Sequence, residues 1–501
     1  MHTKRLVSLE GAEVDLDVED RMYIDGDFVT SDETFAAADP ATGTHLADVP
    51  IATSHQIDRA VKAASRASEE WAAYSPVERG KRMETFADVL SEASENLTKL
   101  DVADTGSSIN RMQYDTEKGA ELIRYFAGLI TELKGDTIPT EGDTFDFTQR
   151  EPFGAVAAIS PFNHPAMFVG KKLAPALAGG NGIVMKPSEV TSLSALYIGH
   201  LVEESGVFPT GLINFVTGEA GVGQELVEHP GIDLINMNGS VRVGKLVMQS
   251  AAKNMTDIIL ELGGKNPTIL FPDVDVEKAA QGAVNAMSLP WQGQSCGSGS
   301  RLLVHESIRD EVVEYVCEGF EATDPGDPFD ESTKMGSIVS EQQYEKVLRF
   351  IEQAKQEGAT LLTGGNAIQP YESGYFVEPT VFEVTPDMTI ANEEIFGPVL
   401  SVLTWSDYDE MIEIANGVDY GLTASVWTDS LQDAHRAVND IEAGYVWVNQ
   451  HGGHFTGAPF GGYKESGIGK KDSLEGLLSH TRLKNVNINF EPTGKNWHSL
   501  G

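Results

Sequence analysis

Short apolar runs alternate with amphipathic stretches over residues 153–263. The apolar runs are FGAVAAIS, IVMK, INFVTG and DLINMNG. The stretches between and after them have helical spacing. They predict one helix that ends at Ala178, one near residues 192–204, another after INFVTG, and one that begins near residue 242. Repeated strand–helix alternation is typical of a parallel sheet with crossover helices. This part of the chain is therefore predicted to form an α/β domain.

The segments on either side carry two further patterns. Residues 55–134 have helical periodicity until Gly135 and Asp136 interrupt it. A second α/β region follows ELGGKNP, with strands predicted at PTILFPD, LLVHES, SVLTWS, GLTASVWT and GYVWVN and helices from Val276 to Met287 and up to Phe320. We expect two α/β lobes that share a cleft, with the ligand outside the carboxyl ends of the strands.

Length and composition indicate a globular protein of more than one domain. The chain has 501 residues, of which 41% are hydrophobic, and it has no internal repeat. No run approaches the roughly 20 apolar residues that cross a bilayer, and the N-terminal segment becomes acidic where a signal peptide would be apolar. Two cysteines are too few for a secreted disulfide scaffold, so we expect a cytoplasmic protein.

The charge is strongly negative, with 36 basic against 76 acidic residues and a net charge of −40. Nucleic acids and anionic membranes should be repelled by this chain, so neither is expected as a partner. At about 1 M salt the Debye length falls to about 3 Å and self-repulsion fades. We hypothesise a halophilic source, the alternative being an ordinary acidic cytosolic protein.

The two cysteines lie in different contexts. Cys296 is in GQSCGSGSR, where glycine and polar residues surround it, and such a site favours a reactive thiol. Cys317 is in VVEYVCEGF, where apolar residues recur at helical spacing. We therefore interpret Cys317 as a small buried apolar residue and Cys296 as a candidate nucleophile.

Several other polar residues are candidates with two interpretations each. Glu261 ends the apolar run DIILELGG, so it is either a paired structural acid or a base with a raised pKa. Asn163 in SPFNHP is either a rigidly held amide or a turn-forming asparagine. His451 and His454 form an HxxH without an evident third ligand, so no metal site is predicted.

Two glycine turns follow predicted strands. Gly218 to Gly223 reads GEAGVG and Gly239 to Gly244 reads GSVRVG. Glycine at such a turn lets a pyrophosphate approach the backbone N–H groups at a helix N-terminus, but an ordinary tight turn looks the same.

Eight segments together resemble the aldehyde dehydrogenase superfamily in order and spacing over nearly the whole chain. They are SPFNHP, MKPSE, the two glycine turns taken together, ELGGKNP, GQSC, EEIFGPV, YGLTASVWT and PFGGYKESGIG. The resemblance implies that Cys296 attacks an aldehyde to give a thiohemiacetal and then a thioester, and that Asn163 stabilises the oxyanion with the Cys296 backbone N–H. It implies that Glu261 activates the water that hydrolyses the thioester.

The resemblance also implies a nicotinamide cofactor and the residues that hold it. These are Lys186 and Glu189 at the adenosine ribose, Gly218, Gly223, Gly239 and Ser240 at the glycine turns, and Glu394, Phe396 and Lys346 at the nicotinamide ribose and ring. A carboxylate such as Glu189 accepts hydrogen bonds from a 2′-hydroxyl and repels a 2′-phosphate, so we expect NAD rather than NADP.

The family has a Rossmann-like cofactor domain, a second α/β catalytic domain and a small β flap for oligomerisation. By analogy, residues 1–134 and 152–263 bind NAD, 264–465 form the catalytic domain, and 135–151 with 481–495 form the flap. A homodimer or homotetramer is expected, in which the edge strand of the flap pairs with a neighbouring subunit.

The predicted substrate is a small aldehyde whose identity the sequence does not give. The pocket is assigned to Phe168, Lys171, Ser295, Gly297 and Phe460. Lys171 is either a partner for a substrate carboxylate, as in a semialdehyde, or a solvated surface lysine, which we favour.

Departures from the family pattern and rival functions bear on this interpretation. Phe162, His164 and Asn238 replace the tryptophan, phenylalanine and threonine that are common in relatives. One rival is a CoA-acylating enzyme, which generally lacks the base corresponding to Glu261, and another is an inert binding or structural protein on the same fold. Both are disfavoured because Cys296, Asn163 and Glu261 are all present.

Overall fold

The computed structural model describes residues 1–490. Its helices are α1 (Ser54–Ala73), α2 (Pro76–Glu92), α3 (Ser94–Thr105), α4 (Ile109–Leu129), α5 (Pro165–Ala178), α6 (Leu193–Ser205), α7 (Ala220–Glu228), α8 (Val241–Ala251), α9 (Val276–Ala286), α10 (Arg309–Glu321), α11 (Glu341–Glu357), α12 (Thr389–Asn392), α13 (Tyr408–Asn416), α14 (Leu431–Asp440) and α15 (Leu474–Leu478). The four helices α1 to α4 fill the region where helical periodicity was predicted.

The strands are β1 (His2–Val7), β2 (Glu13–Val18), β3 (Met22–Ile24), β4 (Asp27–Val29), β5 (Thr34–Ala38), β6 (His45–Pro50), β7 (Thr137–Ile138), β8 (Thr144–Pro152), β9 (Ala155–Ile159), β10 (Gly182–Lys186), β11 (Ile213–Phe215), β12 (Leu234–Asn238), β13 (Asp257–Glu261), β14 (Pro267–Leu270), β15 (Arg301–His305), β16 (Thr360–Thr363), β17 (Ala367–Ile368), β18 (Phe376–Val377), β19 (Thr380–Glu383), β20 (Val399–Trp405), β21 (Tyr420–Gly421), β22 (Thr423–Trp427), β23 (Tyr445–Val448), β24 (Tyr463–Lys464), β25 (Gly467–Ile468) and β26 (Thr481–Asn489).

The first large sheet has eight strands in the order β25-β13-β12-β9-β10-β11-β3-β4. The five strands from β13 to β11 are parallel, as the strand–helix alternation predicts. Both faces are covered, because Val156 and Ala158 of β9 belong to one apolar cluster while Ala155 and Ala157 belong to another. Burial on both faces explains why these strands are continuous apolar runs.

The order of this sheet has a topological switch point between β9 and β12. The chain passes from β9 through β10 to β11 on one side and from β12 to β13 on the other. Asn163, Lys186, Gly218, Gly239 and Glu261 end or follow these strands at their carboxyl ends. Ligands of open parallel sheets bind at this kind of crevice, so these residues lie where a ligand of this sheet is expected.

The second large sheet has seven strands in the order β16-β19-β20-β15-β14-β22-β23, all parallel except β16. In this sheet the candidate site residues lie at the other edge. Cys296 precedes β15, and Glu394 and Phe396 precede β20, so these residues lie at the amino ends of their strands. The carboxyl edge of the first sheet therefore faces the amino edge of the second across the cleft.

A small three-stranded sheet joins two distant segments in the order β26-β8-β7. The antiparallel pairing of β26 with β8 runs from Thr481↔Pro152 to Asn489↔Thr144. This sheet contains the two segments predicted to form the flap, apart from residues 491–495, which lie outside the described residues. Phe145, Leu483 and Ile488 are exposed on it.

Six strands precede α1, where the sequence pattern predicted no element. The β1–β2 hairpin buries Leu6, Leu16 and Val18 completely. Asn96 of α3 fixes it, because its side chain accepts from the Asp17 N–H and donates to the Asp17 carbonyl, both at 2.9 Å. Packing on α3 stabilises strands that are too short and polar to be identified from periodicity.

Candidate active site

The loop that carries Cys296 is held by the residues just before β14. The Asn266 side-chain amide donates to the carbonyls of Cys296 at 2.8 Å and Ser298 at 2.9 Å. Its oxygen accepts from the Thr423 N–H at 3.0 Å. A Cβ on Gly264 would lie 2.8 Å from the Cys296 carbonyl oxygen, so only glycine fits there. The loop backbone at Cys296 and Ser298 is therefore fixed by its contacts with Asn266 and Gly264.

Glu261 lies directly beside this sulfur. The Cys296 thiol donates to Glu261 Oε1 at 3.0 Å, and the Asn238 amide donates to Oε2. The Lys471 ammonium lies 3.6 Å from Oε2. Burial alone would raise the pKa of Glu261, but Lys471, Lys171 and the thiol hydrogen bond outweigh it and lower the pKa to about 2. Glu261 is thus a paired, ionised carboxylate and not an acid with a raised pKa.

The Cys296 thiol is protonated in this arrangement. Burial, and then the charge and hydrogen bond of Glu261, raise its pKa well above the ordinary thiol value. The nearby Lys171 opposes this effect. To act as a nucleophile, the sulfur would have to lose its proton to an adjacent base, and the Cys296 thiol is hydrogen-bonded to Glu261.

Asn163 lies between the two large sheets, and its side-chain amide is held in place by a hydrogen bond. It follows β9, is 4% exposed, and donates from Nδ2 to the Gln294 carbonyl at 2.9 Å. Its Oδ1 has no hydrogen-bond partner among the described residues. One N–H of the Asn163 amide is thus held by the carbonyl of Gln294, two residues before Cys296. The second N–H of the amide remains available to a ligand.

A cavity of about 610 Å³ opens from Cys296 toward the first sheet. The predicted cofactor residues that line it are Gly239, Ser240, Lys346, Glu394 and Phe396. Lys186, Glu189, Gly218 and Gly223 lie beyond its lining, at the carboxyl ends of β10 and β11 and on α7.

The second group of cofactor residues lies together at these strand ends. Lys186 Nζ is 3.4 Å from Glu189 Oε2, and a Cβ on Gly223 would lie 3.5 Å from Lys186 Cδ. Burial lowers the pKa of Lys186. A cation and a carboxylate are thus available side by side at the carboxyl edge of the sheet.

Glu394 is fixed at the opposite wall of this cavity. Its Oε1 accepts from the Gly264 N–H at 2.9 Å, and a Cβ on Gly263 would overlap its carboxylate. Burial raises the pKa of Glu394, while the Gly264 N–H and Lys346 oppose this. Phe396 has a left-handed backbone with φ of 60°, and its ring lies edge-on to Phe162 at 5.5 Å.

A second cavity, of about 920 Å³, opens from the other side of the sulfur. All five residues predicted for the substrate pocket line it, namely Phe168, Lys171, Ser295, Gly297 and Phe460. Phe168, Glu261 and Cys296 line both cavities. The thiol and its neighbouring carboxylate therefore lie where the two spaces meet.

Lys171 is not the solvated surface lysine that we favoured. Its side chain is 13% exposed, and its ammonium pairs with Asp472 at 2.7 Å. Burial would lower the pKa of Lys171, but Asp472 and Glu261 raise it. Residues from distant parts of the chain bury this lysine, which the local sequence could not indicate.

Other site residues were missed or left without a role by the sequence interpretation. Asp115 accepts from Trp291 Nε1 at 3.1 Å and lies 2.6 Å from His164 Nδ1, which fixes that imidazole in the pocket wall. Lys471 and Asp472 follow the motif PFGGYKESGIG and have no signal of their own. An acid in the middle of α4 such as Asp115 looks like any helix-surface residue in the sequence.

The two histidines of HxxH pack beside the nucleophile loop. His451 Nε2 lies 3.0 Å from the Gly297 carbonyl oxygen, and His454 is in ring contact with Phe460 at 4.9 Å. Burial lowers the pKa of each imidazole to about 4. Within residues 1–490 no group of three or more His, Cys, Asp or Glu side chains is arranged to hold a metal ion.

Cys317 lies on α10, partly buried against an apolar cluster. Burial raises the pKa of its thiol. This agrees with the interpretation of Cys317 as a packing residue.

Comparison with known proteins gives the same assignment along the chain. The model of the aldehyde dehydrogenase family matches residues 28–486. The aldehyde dehydrogenase tropH of Talaromyces stipitatus is 42% identical over 484 residues, covering 94% of this chain and 93% of that protein. Two solved structures are also similar. The NAD+ complex of aldehyde dehydrogenase from Bacillus cereus has a TM-score of 0.91 and 41% identity, covering 94% of this chain and 97% of that one.

The second similar solved structure is indole-3-acetaldehyde dehydrogenase in complex with NAD+. It has a TM-score of 0.92 and 39% identity, covering 95% of this chain and 97% of that one. The family match extends from the first sheet to the three-stranded sheet and includes Cys296, Glu261 and Asn163. The chain therefore belongs to the aldehyde dehydrogenase family.

Proposed function

We propose that this protein oxidises an aldehyde to a carboxylic acid with NAD, through a covalent thioester on Cys296. The observation that carries the proposal is the meeting of two cavities at one sulfur, with Cys296 and Glu261 lining both. One cavity offers the residues expected at a nicotinamide, and the other offers room for an aldehyde. A nucleophile that served only one ligand would not need this position.

The chain's own groups account for the covalent steps. Glu261 takes the thiol proton across the 3.0 Å contact, and the sulfur bonds to the aldehyde carbon to give a thiohemiacetal. The negative oxygen is stabilised by the free N–H of Asn163 and the backbone N–H of Cys296. NAD, when bound, accepts the hydride that leaves this carbon, and a thioester remains. Glu261 releases the thiol proton to solvent before hydrolysis. It then takes a proton from water, whose oxygen bonds to the carbonyl carbon. The C–S bond breaks, the acid leaves, and the sulfur regains that proton from Glu261.

The residues present fit a dinucleotide. Ser240 caps α8 with its side chain, so this helix begins at the cavity wall with its N–H groups available to a phosphate. Glu394 is the carboxylate expected at the nicotinamide ribose. A Cβ at position 263 would overlap this carboxylate, so Gly263 leaves room for it. Glu189 would accept a hydrogen bond from the adenosine 2′-hydroxyl, which supports NAD rather than NADP. In this proposal residues 1–134 and 152–263 hold NAD and 264–465 supply the nucleophile.

The activity is tested by mixing the protein with NAD and a panel of aldehydes and following NADH by absorbance. We expect NADH formation without CoA, and none from the Cys296→Ser variant above its slow background. Dependence on CoA would support the acylating alternative. Absence of NADH with every aldehyde, in both low and high salt, would support the inert alternative and contradict the proposal.

We further propose that the substrate is an uncharged aldehyde with an aromatic ring. Phe168, Trp291, Phe455 and Phe460 line the substrate-side cavity, and flat rings pack well against such walls. The Lys171 ammonium that could have bound a carboxylate is already paired with Asp472. An acidic aldehyde would have to displace that pair inside a partly buried site. The related indole-3-acetaldehyde dehydrogenase acts on an aromatic aldehyde by its name, which agrees with this.

The substrate class is tested by comparing phenylacetaldehyde with succinic semialdehyde. We expect kcat/KM to be at least about tenfold higher for the aromatic aldehyde, since one displaced ion pair of this kind costs at least about 1.4 kcal/mol. Lys171→Ala should change this ratio little. A preference for the semialdehyde that Lys171→Ala abolishes would contradict the proposal and restore the semialdehyde hypothesis.

We propose that the three-stranded sheet is the flap through which two or four copies associate. Its strand β26 is an edge strand, and exposed apolar side chains such as Leu483 and Phe145 accompany it. Pairing of this edge with another subunit would extend the sheet across the interface and cover the edge. Light scattering should give a dimer or tetramer for the native chain and a smaller species for Leu483→Glu. A native monomer would contradict this.

We propose a cytoplasmic location. Both cysteines are free, and none of the helices within residues 1–490 has the length and apolarity that crossing a bilayer requires. Cell fractionation tests it, since recovery of the protein with membranes or in the medium would contradict it.

A further inference from the structure

The two oxygens of Glu261 have different partners. Oε1 accepts the hydrogen bond from the Cys296 thiol, whereas Oε2 accepts from the Asn238 amide and faces the Lys471 ammonium at 3.6 Å. One oxygen is therefore available to the reaction and the other is occupied by the protein. A carboxylate held in this way cannot rotate freely about its last bond.

The orientation of the Asn238 amide is set by two lysines. Lys471 Nζ donates to Asn238 Oδ1, and Lys172 Nζ donates to the same oxygen at 2.8 Å. An ammonium group only donates, so Oδ1 must face both lysines and Nδ2 must face Glu261. Lys471 thus acts on Glu261 twice, directly by its charge and indirectly through the amide.

The backbone places Lys471 with little freedom. Strand β25 pairs antiparallel with β13, with Gly467 opposite Glu261, which brings the following residues to the base. The Phe460 N–H donates to the Lys471 carbonyl at 3.0 Å, and the Lys471 N–H donates to the Phe460 carbonyl at 2.7 Å. The residue is only 7% exposed.

Several charged or titratable groups face this pair. Toward Glu261 these are Lys171 and Lys172 on α5, Asn238 as a neutral donor, Cys296 on its loop, Glu394 and His454. Toward Lys471 they are Lys171, Lys172, Asp472, Cys296 and His480. Lys171 is paired with Asp472, and burial lowers the pKa of Lys172 well below its ordinary value. Lys471 is the nearest cation that has no carboxylate other than Glu261 at ion-pair distance among the described residues.

We propose that Lys471 is a positioning residue of thioester hydrolysis, which keeps Glu261 ionised and, through Asn238, keeps its free oxygen directed at the Cys296 sulfur. This inference rests on the proposed function. Its effect on charge follows from the setting, because a buried carboxyl without a cation can have its pKa raised by up to about 3–5 pH units. Burial lowers the pKa of Lys471 to about 8, although Glu261 opposes this, so the ammonium is retained below that pH.

The test compares Lys471→Met with Lys471→Arg in the full-length protein and measures both the first turnover and the steady state between pH 5 and 9. In Lys471→Met the acid limb of steady-state turnover should move up by at least about one pH unit, and turnover at pH 5.5 should fall about tenfold or more relative to pH 8. The amplitude of the first NADH turnover should stay near one per site. Lys471→Arg should restore the acid limb.

The matched control is Lys470→Met, which removes the neighbouring ammonium that donates to the Gly461 carbonyl at 2.7 Å. Its pH profile should equal that of the unchanged protein. If Lys471→Met fails to fold, Asn238→Asp provides the same test, because it keeps the lysine contacts but places a carboxylate against Glu261 and should also raise the acid limb.

The possible failures are distinguishable. An unchanged protein that forms no NADH would overturn the proposed function, and the role of Lys471 with it. An active protein whose acid limb is the same in Lys471→Met, or in Asn238→Asp, would overturn the role of Lys471 alone. A Lys471→Met variant that loses the first turnover as fully as the steady state would also overturn it, because the defect would not be confined to hydrolysis.

Discussion

Replacement of Glu261 by glutamine should separate the two halves of the reaction. The change keeps the side-chain volume but removes the carboxylate that accepts the Cys296 proton at 3.0 Å and that would activate water. Loss of a general base typically costs about 10²–10⁴ in rate, so steady-state turnover should fall by about that factor. The first turnover should be slowed less than the steady state. The charge of Glu261 raises the pKa of the thiol, so its removal makes it easier for the Cys296 sulfur to lose its proton to solvent beside Lys171.

The same substitution has a calculable effect on stability. A pKa lowered from 4.5 to about 2 corresponds to about 3 kcal/mol of preference for the ionised form. The folded-state pKa is lower than the unfolded one, so this contribution is complete above about pH 4.5 and is lost as the pH falls through about 2. Glu261→Gln should therefore lower the free energy of unfolding by about 3 kcal/mol at pH 7.

The assay is rapid mixing with NAD and an accepted aldehyde, followed by NADH absorbance, together with chemical unfolding at pH 7. Glu465→Gln is the matched control, since this carboxylate forms a surface pair with Lys245 at 2.6 Å. Wild-type steady-state turnover in Glu261→Gln would refute the assignment of the base. Loss of the first turnover in the same proportion as the steady state would contradict the prediction that the substitution separates the two halves of the reaction.

Three further predictions concern the cofactor and the surface charge. Glu189→Ala should raise kcat/KM with NADP relative to NAD by about tenfold or more, because the repulsion of a 2′-phosphate is removed; an unchanged ratio would show that Glu189 does not select the cofactor. Gly263→Ala should raise the KM for NAD about tenfold or more, since its Cβ would displace Glu394 and one charged hydrogen bond is worth about 1.5–3 kcal/mol. Gly128→Ala on α4, where a Cβ would meet nothing within 4 Å, should change the KM little. An unaltered KM in Gly263→Ala would contradict the role of Glu394. With a net charge of −40, resistance to unfolding should rise from tens of millimolar to molar potassium chloride; equal stability at both would contradict a halophilic adaptation.

The parallel strands and their helices could be predicted because they depend on local patterns. Strands β9, β10 and β12 are buried on both faces and read as apolar runs, and the helix predicted to begin at Val276 does so. The first β hairpin was missed for the complementary reason. Its short alternating strands are stable only because Leu6 and Leu16 pack into a core formed by other segments.

The residues of the candidate site divide in the same way. Each of the three candidate catalytic residues lies in a short continuous motif, so all three could be predicted from the sequence. They are Cys296, Glu261 and Asn163. Lys471 could not be identified, because it reaches Glu261 only through the pairing of β25 with β13. The burial of Lys171 likewise depends on Asp472, which is far away along the chain.

The sequence by itself determined which chemical groups this protein possesses, where its apolar strands lie and to which family its motifs belong, since each of these is a property of neighbouring residues. Only the tertiary structure decided that the nucleophile lies at the amino edge of one sheet facing the carboxyl edge of the other. It also decided the electrostatics of the base, because charges interact through space and the lysines around Glu261 come from α5 and from the segment after β25.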